Sequence, residues 1–339
     1  MISALGMGCW AYGGGKYWGD QNQKDVDEVV HAALDKGINY FDTAEVYNDG
    51  ESERSLGLAL QGRRSEAVIG TKVSTSNTRP VVLGEHCEAS LKRLKTDYID
   101  IYMLHWPLNP KAVEHFTDDP ELISSPPTVQ EAFETMIKLQ KEGKIRYIGI
   151  SNHGIQQMEE VRETGAEIVV NELPYNLISR GIEDGIVQYC IEKNIGVLGY
   201  MAMQQGILAG IYPTIEAIPP AQAHSRHFHF SRGGQESRHG EAGAEEEISH
   251  LLKGMQKIAN DLGTNIPTLS LSWAMAGKGI SSTLVGSRNK NELMMNIRTA
   301  SYKLPEDVHK ELDELSRPVL QKLGTNPDYY ENRSSSRIF

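Results

Sequence analysis

The feature that most constrains this chain is a repeated rhythm: a short β-branched or apolar run, then an amphipathic stretch, from one end to the other. Strand-like runs lie at 3–8, 38–42 (Ile-Asn-Tyr-Phe-Asp), 67–73 (Ala-Val-Ile-Gly-Thr-Lys-Val), 98–104 (Tyr-Ile-Asp-Ile-Tyr-Met-Leu), 146–150, 167–171, 196–201 and 282–286. Helical periodicity fills the spaces near 23–36, 51–61, 80–95, 128–142, 155–164, 182–193, 245–262 and 289–300. Gly37 and Gly143 each close a periodic stretch just before a strand, where helix-ending glycines belong. Strands that alternate with helices, with no strand-only region, predict an α/β fold with a parallel sheet. Eight of each fit a closed (β/α)8 TIM barrel better than an open doubly wound sheet. The G-x-G-x-x-G fingerprint of the latter is also absent after the first strand, where Gly13-Gly14-Gly15 makes a flexible turn instead. One barrel domain over 1–339 is the expected organisation, because such barrels routinely exceed 250 residues.

Three segments break the rhythm. Residues 107–127 form a long loop after the fourth strand, and 213–244 a longer one after the seventh, rich in Gly, Arg, His and Ser. A tail follows from about 318. Loops after the strands build the functional face of a barrel, so both insertions are expected on that rim. The net charge of −11 argues against non-specific partnership with nucleic acid or anionic membrane. The three cysteines, Cys9, Cys87 and Cys190, are far apart and form no CxxC, which fits a reducing compartment. With no long apolar run and no basic-then-apolar start, a cytoplasmic location is expected. A small molecule is the expected partner, and a homo-oligomer is compatible with the composition.

Four local signatures stand at the C-terminal ends of expected strands: Asp42-Thr43-Ala44-Glu45-Val46-Tyr47, Gly70-Thr71-Lys72, Leu104-His105-Trp106 and Ser151-Asn152. In a barrel these ends converge on one mouth. Taken singly each has a bland reading: Asp42 as a cap, Lys72 as a solvated lysine, His105 as a satisfied core histidine, Tyr47 as a loop tyrosine. Taken together, and with Gly143-Lys144-Ile145-Arg146-Tyr147-Ile148-Gly149-Ile150-Ser151-Asn152 and Pro174-Tyr175-Asn176-Leu177, they stand in the order of a known set. The chain resembles the aldo-keto reductase superfamily over nearly its whole length, from Leu5-Gly6-Met7-Gly8 to the tail.

The resemblance implies reversible reduction of an aldehyde or ketone by a nicotinamide cofactor, with Tyr47, Asp42, Lys72 and His105 as the catalytic tetrad. The residue types suit that chemistry. A phenol is a weak acid near neutral pH, and an adjacent ammonium lowers its pKa. Lys72 is expected to do this for Tyr47, with Asp42 keeping Lys72 protonated and His105 orienting the carbonyl oxygen. Trp10 and Trp106 are implied as apolar walls for the substrate, a sugar or related polyol being compatible with the long polar loops. Ser151 and Asn152 are implied contacts of the nicotinamide carboxamide, and Tyr200 of the ring face. Gly206 and Leu208 are implied along the cofactor's length. Gly286, Ser287, Arg288 and Asn296 are implied at the adenosine end, where Arg288 would meet a 2′-phosphate.

Four positions depart from the pattern. Glu172 stands where a glutamine usually meets the carboxamide, and an ionised carboxylate there can only accept hydrogen bonds. Met201 replaces a serine, Ile211 a lysine that approaches the diphosphate, and Glu292 a glutamine near the adenine. These changes weaken the case for a polyanion, while Arg288 strengthens it, so NADP(H) is the expected cofactor with NAD(H) as the alternative. The insertion carries His224, His227, His229 and His239 with Arg226, Arg232 and Arg238. Their spacing does not make a zinc site, so no metal is expected. A solvated loop is the bland reading, and a lid whose arginines meet the diphosphate is the sharper one. The chain enters its first strand almost directly at Ile2, without the hairpin that the resemblance implies beneath the barrel, so another element is expected there, or an upstream start. Two other classes fit parts of the pattern: a cofactor-binding redox sensor with little turnover, and a Schiff-base enzyme using Lys72.

Overall fold

The computed structural model describes residues 1–339. Eight parallel strands close on themselves in chain order: β1 (Leu5–Gly8), β2 (Tyr40–Asp42), β3 (Val68–Val73), β4 (Ile99–Leu104), β5 (Ile145–Ser151), β6 (Ile168–Pro174), β7 (Gly196–Tyr200) and β8 (Ile280–Gly286). Closure runs through β1 and β8, with Leu5 opposite Thr283 and Gly8 opposite Gly286. The outer ring comprises α1 (Gln23–Asp35), α2 (Glu51–Ala59), α3 (Pro80–Leu94), two short helices α4 (Pro110–Val113) and α5 (Pro120–Ser124), α6 (Val129–Lys141), α7 (Ile155–Glu163), α8 (Ile186–Glu192), α9 (Glu245–Asp261), α10 (Ile266–Met275), α11 (Lys290–Ala300) and α12 (Glu306–Leu323). All eight strands fall where the sequence rhythm places them. Four helices do not belong to that rhythm: α10, α12, and the short α4 and α5 within the stretch 107–127 expected as a loop. The tail begins after Leu323, because Pro318 sits inside α12 instead of ending it. No helix is long and apolar enough to cross a membrane.

The alternation of side chains along each strand positions the site. In β4 the whole run is buried, as expected for strands covered on both faces. Ile101 and Met103 point into the barrel, while Tyr102 and Leu104 join the helix-facing core. With Tyr40, Val170, Leu198 and Leu284 they fill the barrel's interior, and Ile2, Val68 and Val169 pack against that cluster. Each strand then adds one more inward residue two positions on. Above Tyr40 comes Asp42, above Gly70 comes Lys72, above Met103 comes His105, above Val170 comes Glu172, and above Leu198 comes Tyr200. An apolar layer therefore carries a polar one at the C-terminal mouth. Gly70 is required beneath Lys72, since a Cβ there would run into the hydroxyl of Tyr40.

The insertion at 213–244 docks on the tail. Arg226 is fully buried. Its guanidinium donates to the carbonyls of Leu323, Asn326 and Asp328, and its Nε pairs with Glu241 at 3.0 Å. His227 stacks on Tyr329 with ring centres 4.7 Å apart, and Arg238 pairs with Glu331 at 2.7 Å. The lid reading, with Arg226 and Arg238 held for a diphosphate, is thus corrected: the tail engages both. Nor do the histidines gather with carboxylates or thiols as a metal set. Arg226→Ala is expected to destabilise the protein by about 3 kcal/mol, since it strands buried carbonyls and Glu241. Cofactor affinity should be unchanged; thermal unfolding and a binding titration check the two halves.

Candidate active site

Asp42 ends β2, opposite Gly70 of β3, and the chain then turns sharply to bring Tyr47 back over the mouth. The turn needs left-handed backbone at Asn48 (φ 51°) and Asp49 (φ 55°), residue types that tolerate it, before Gly50 starts α2. Asn48 also donates to the carbonyls of Trp10 and Tyr12, at 2.7 and 2.9 Å, which ties the Tyr47 turn to the loop after β1. That positioning role escaped the sequence reading. Gly13 is needed in the same loop, with φ 77° and Glu51 close against the place a Cβ would occupy.

The Lys72 ammonium is the hub of the site and is fully buried. It donates to both oxygens of Asp42 at 2.7 Å and to the Thr43 carbonyl at 3.0 Å. The Tyr47 hydroxyl lies 3.4 Å from it. Glu172 Oε2 also lies 3.4 Å away, has no hydrogen-bond partner, and belongs to a residue only 3% exposed. Tyr47 stands edge-on to His105 with ring centres 5.7 Å apart and leans on Trp10 at 5.8 Å.

These neighbours set the charge state. Burial opposes the Lys72 charge, but Asp42 and Glu172 overcome it and hold the ammonium protonated well above its ordinary range. Burial, reinforced by the Lys72 charge, pushes His105 far below the usual imidazole range, so it is neutral, and its Nδ1 has no partner. Burial and the neighbouring Asp42 push the Glu172 carboxyl well above the carboxylate range. Two carboxyls on one ammonium, sealed from water, are best satisfied with a proton on one of them. Asp42, also raised by burial, has the closer, bidentate pairing, which leaves Glu172 the better placed of the two to carry it.

Two expectations change here. Tyr47 is not made more acidic: burial dominates, Lys72 works against it, and Asp42 and Glu172 cancel much of the Lys72 effect, leaving the phenol above its ordinary range. Glu172 is not an ionised acceptor at the edge of the mouth, because its carboxyl turns inward onto Lys72.

The implied cofactor residues form two groups. In the first, Tyr200 donates to Asn152 Oδ1 at 2.7 Å, and Asn152 Nδ2 bonds Ser151 Oγ at 3.0 Å and the His105 carbonyl at 3.2 Å. Ser151 Oγ and Asn152 N both bond the Glu172 carbonyl, which fixes Glu172 next to them. In the second, Ser287 Oγ and the Gly286 carbonyl accept from Asn296 as α11 begins. Arg288 uses its Nε on Gln21 and one terminal nitrogen on the Asp20 carbonyl. Glu292 accepts from Arg288 N and Asn289 Nδ2 at 2.8 Å each, so it caps its own helix. Leu208 is buried against α10 through its carbonyl, Gly206 adopts φ 98°, and Ile211 is exposed.

Trp106 does not stand open to the mouth. It is 8% exposed, with the Arg337 guanidinium 3.7 Å above its ring, and packs with Ala112 and Ile338 of the tail. Arg337 is in turn paired with fully buried Asp328 at 2.7 Å. No sequence signal pointed to this pair, which is joined only through the folded tail.

The Aldo/keto reductase family model matches residues 4–317. The aldo-keto reductase YhdN of Bacillus subtilis is 30% identical, the match covering 92% of this chain and 89% of that protein. An NADH-specific methylglyoxal reductase of Escherichia coli is 28% identical over 90% of this chain and 92% of its own. Among solved structures, an aldo-keto reductase from Klebsiella pneumoniae in complex with NADPH superposes with a TM-score of 0.67 at 26% identity, covering 94% of this chain and 92% of that one. With the barrel and the polar layer at its mouth, these matches establish that this chain belongs to the aldo/keto reductase family of oxidoreductases.

Proposed function

We propose that this chain reduces a small aldehyde or ketone to its alcohol, reversibly, with NADP(H) as the preferred cofactor and NAD(H) also used. The observation that carries the reading is the Lys72 ammonium, clamped by Asp42 and set 3.4 Å from the Tyr47 hydroxyl beside a neutral His105. A nicotinamide fits the donor set: Tyr200 and Asn152 are already linked beside Glu172, and Ser287 and Arg288 stand just before α11, whose Asn296 holds Ser287. When bound, the reduced cofactor supplies a hydride to the carbonyl carbon. The protein's own residues do the rest. Neutral His105 donates a hydrogen bond to the carbonyl oxygen and fixes its direction. Tyr47 Oη transfers its proton to that oxygen as the new C–H bond forms, and Lys72 stabilises the resulting phenolate. Lys72, Asp42 and Glu172 thus create a site where negative charge on Tyr47 is tolerated only beside an ammonium.

The mouth suits a hydroxylated substrate. Trp10 stacks on Tyr17 at 5.0 Å and meets Trp18 edge-on at 5.2 Å. The Tyr17 hydroxyl and Trp18 Nε1 are buried without partners, which favours a ligand with hydroxyl groups, such as a sugar or polyol. Trp10 is the proposed substrate wall; Trp106 is covered by Arg337 and Ile338 of the tail. A screen of small carbonyl compounds, following the absorbance of NADPH and of NADH, tests the reading. Oxidation of neither cofactor by any of them would refute it.

Arg288 carries the preference for NADP(H). Arg288→Ala is expected to weaken NADPH binding by roughly 10- to 100-fold, the range for a lost charge-assisted hydrogen bond, and to leave NADH nearly unaffected. Parallel titrations with the two cofactors check this.

A further inference from the structure

The second carboxyl on Lys72 undergoes no bond or proton change in the reaction above, yet its Oε2 is buried beside the ammonium without a hydrogen-bond partner. Glu172 projects from β6 into the barrel mouth, and its own carbonyl is held by Ser151 Oγ and Asn152 N. Its side chain meets Lys72 of β3, which also holds Asp42 of β2, and the titratable groups near it include Tyr47 after β2, Tyr40 within β2 and Tyr200 at the end of β7. Lys72 is the only cation among these groups, and Asp42 already neutralises it through both oxygens. An ionised Glu172 would leave a net negative charge in a sealed pocket, with Oε2 lacking any donor but Lys72. A proton on Glu172 removes that charge. A second cation at the mouth would remove it as well, and would then free the proton.

The oxidised nicotinamide ring is such a cation, and the reduced ring is neutral. Glu172 Oε2 and the Tyr47 hydroxyl, beside which the proposed carbonyl binds, share one ammonium, each 3.4 Å from it. The hydride donor has to lie within bonding reach of that carbonyl, roughly 3–3.5 Å from the reacting carbon. At this range, in a poorly solvated site, a unit charge shifts an equilibrium on the order of tenfold or more.

We propose that Glu172 sets this chain's preference between the two oxidation states of its cofactor: it holds a proton when the ring is reduced and gives it up to solvent when the ring is oxidised. The proposal rests on the nicotinamide-binding reading above. Binding of the oxidised cofactor is then proton-linked and binding of the reduced cofactor is not, so the first gains up to about tenfold in affinity per pH unit as pH rises. The exchange of a usual amide for a carboxyl becomes a device that favours the oxidised cofactor, and with it alcohol oxidation, as the medium turns alkaline.

Calorimetric titration of the whole protein with NADP+ and with NADPH, each in two buffers of different ionisation enthalpy, reads the proton directly. Any proton exchange common to both, at the 2′-phosphate, cancels in the comparison. The expected result is release of a substantial fraction of a proton with NADP+ beyond that with NADPH. In Glu172→Gln, which keeps the shape of the protonated acid, the difference should vanish and the ratio of the two affinities should become independent of pH. Equal proton release for both forms in the unaltered protein overturns the proposal without any variant. Excess release that persists in Glu172→Gln overturns it too, by assigning the proton to Tyr47 or Asp42. Binding of neither form would overturn the cofactor reading, and this proposal with it.

Discussion

Tyr47→Phe is expected to lower the rate of carbonyl reduction by roughly 10²- to 10⁴-fold, the range for loss of a positioned general acid. The substitution removes one oxygen from a ring whose packing against Trp10 and His105 is otherwise retained. NADPH affinity should therefore change little, and the loss should appear in kcat and kcat/KM alike. Because burial holds the phenol above its ordinary range in the free protein, the proton stays on Tyr47 across neutral pH. Reduction should accordingly not fail on the alkaline side near the pKa of an ordinary phenol. Steady-state rates with both cofactors, and a binding titration on the same variant, separate a chemical defect from a binding one. Full activity in the variant would remove Tyr47 from the reaction.

The largest expected effect on stability lies away from the chemistry. Asp328 and Arg337 form a buried pair, with Arg337 donating through Nε and Nη2 at 2.9 and 2.7 Å. Burial works against the Asp328 charge, but Arg337 more than offsets it and holds the carboxyl below its usual range. Asp328→Ala leaves the guanidinium buried over Trp106 with only the more distant Glu331, 3.9 Å from its Nε, and such a loss destabilises by about 3–5 kcal/mol. A group whose folded pKa is depressed contributes stability above its unfolded pKa and loses it as pH falls through the folded one. The unaltered protein should therefore lose this contribution only in acid, and the variant should lack it at neutral pH. Thermal unfolding of both at neutral and acidic pH measures the effect: the gap between them should narrow as pH falls. Since the tail also packs on Trp106 and holds Arg226, the variant should release the tail to protease before the barrel unfolds.

The barrel was legible because its strands are buried on both faces and its outer helices on one, which writes two different periods into the sequence. α10 was not. Its residues 266 and 268–274 are buried almost without interruption, so it has no polar face to betray a helical period. α12 lies outside the strand–helix repeat, and it carries Pro318 in its interior, which a helix seldom does. That Asp42, Lys72 and His105 come together was legible for a different reason: each stands at the C-terminal end of an expected strand, and in a barrel those ends meet at one mouth. Glu172 shares its inward parity with Val170 below it, and this was the available signal that it faces Lys72 and not the rim alone. The acidity of Tyr47 was misjudged because sequence shows the nearby cation and hides the burial that outweighs it. The roles of Arg226 and Arg337 depend on tail carbonyls and a partner fixed only by tertiary packing, and composition reads such arginines as free for a ligand.

The central claim is direct hydride transfer at the Tyr47–Lys72–His105 mouth. Its most direct measurement uses reduced cofactor carrying deuterium at the transferable position of the nicotinamide ring, with a small carbonyl substrate that oxidises it. The account predicts one deuterium on the carbinol carbon of the alcohol and none of it exchanged into water. Alcohol lacking the label, or substrate trapped on Lys72 by borohydride, would contradict it.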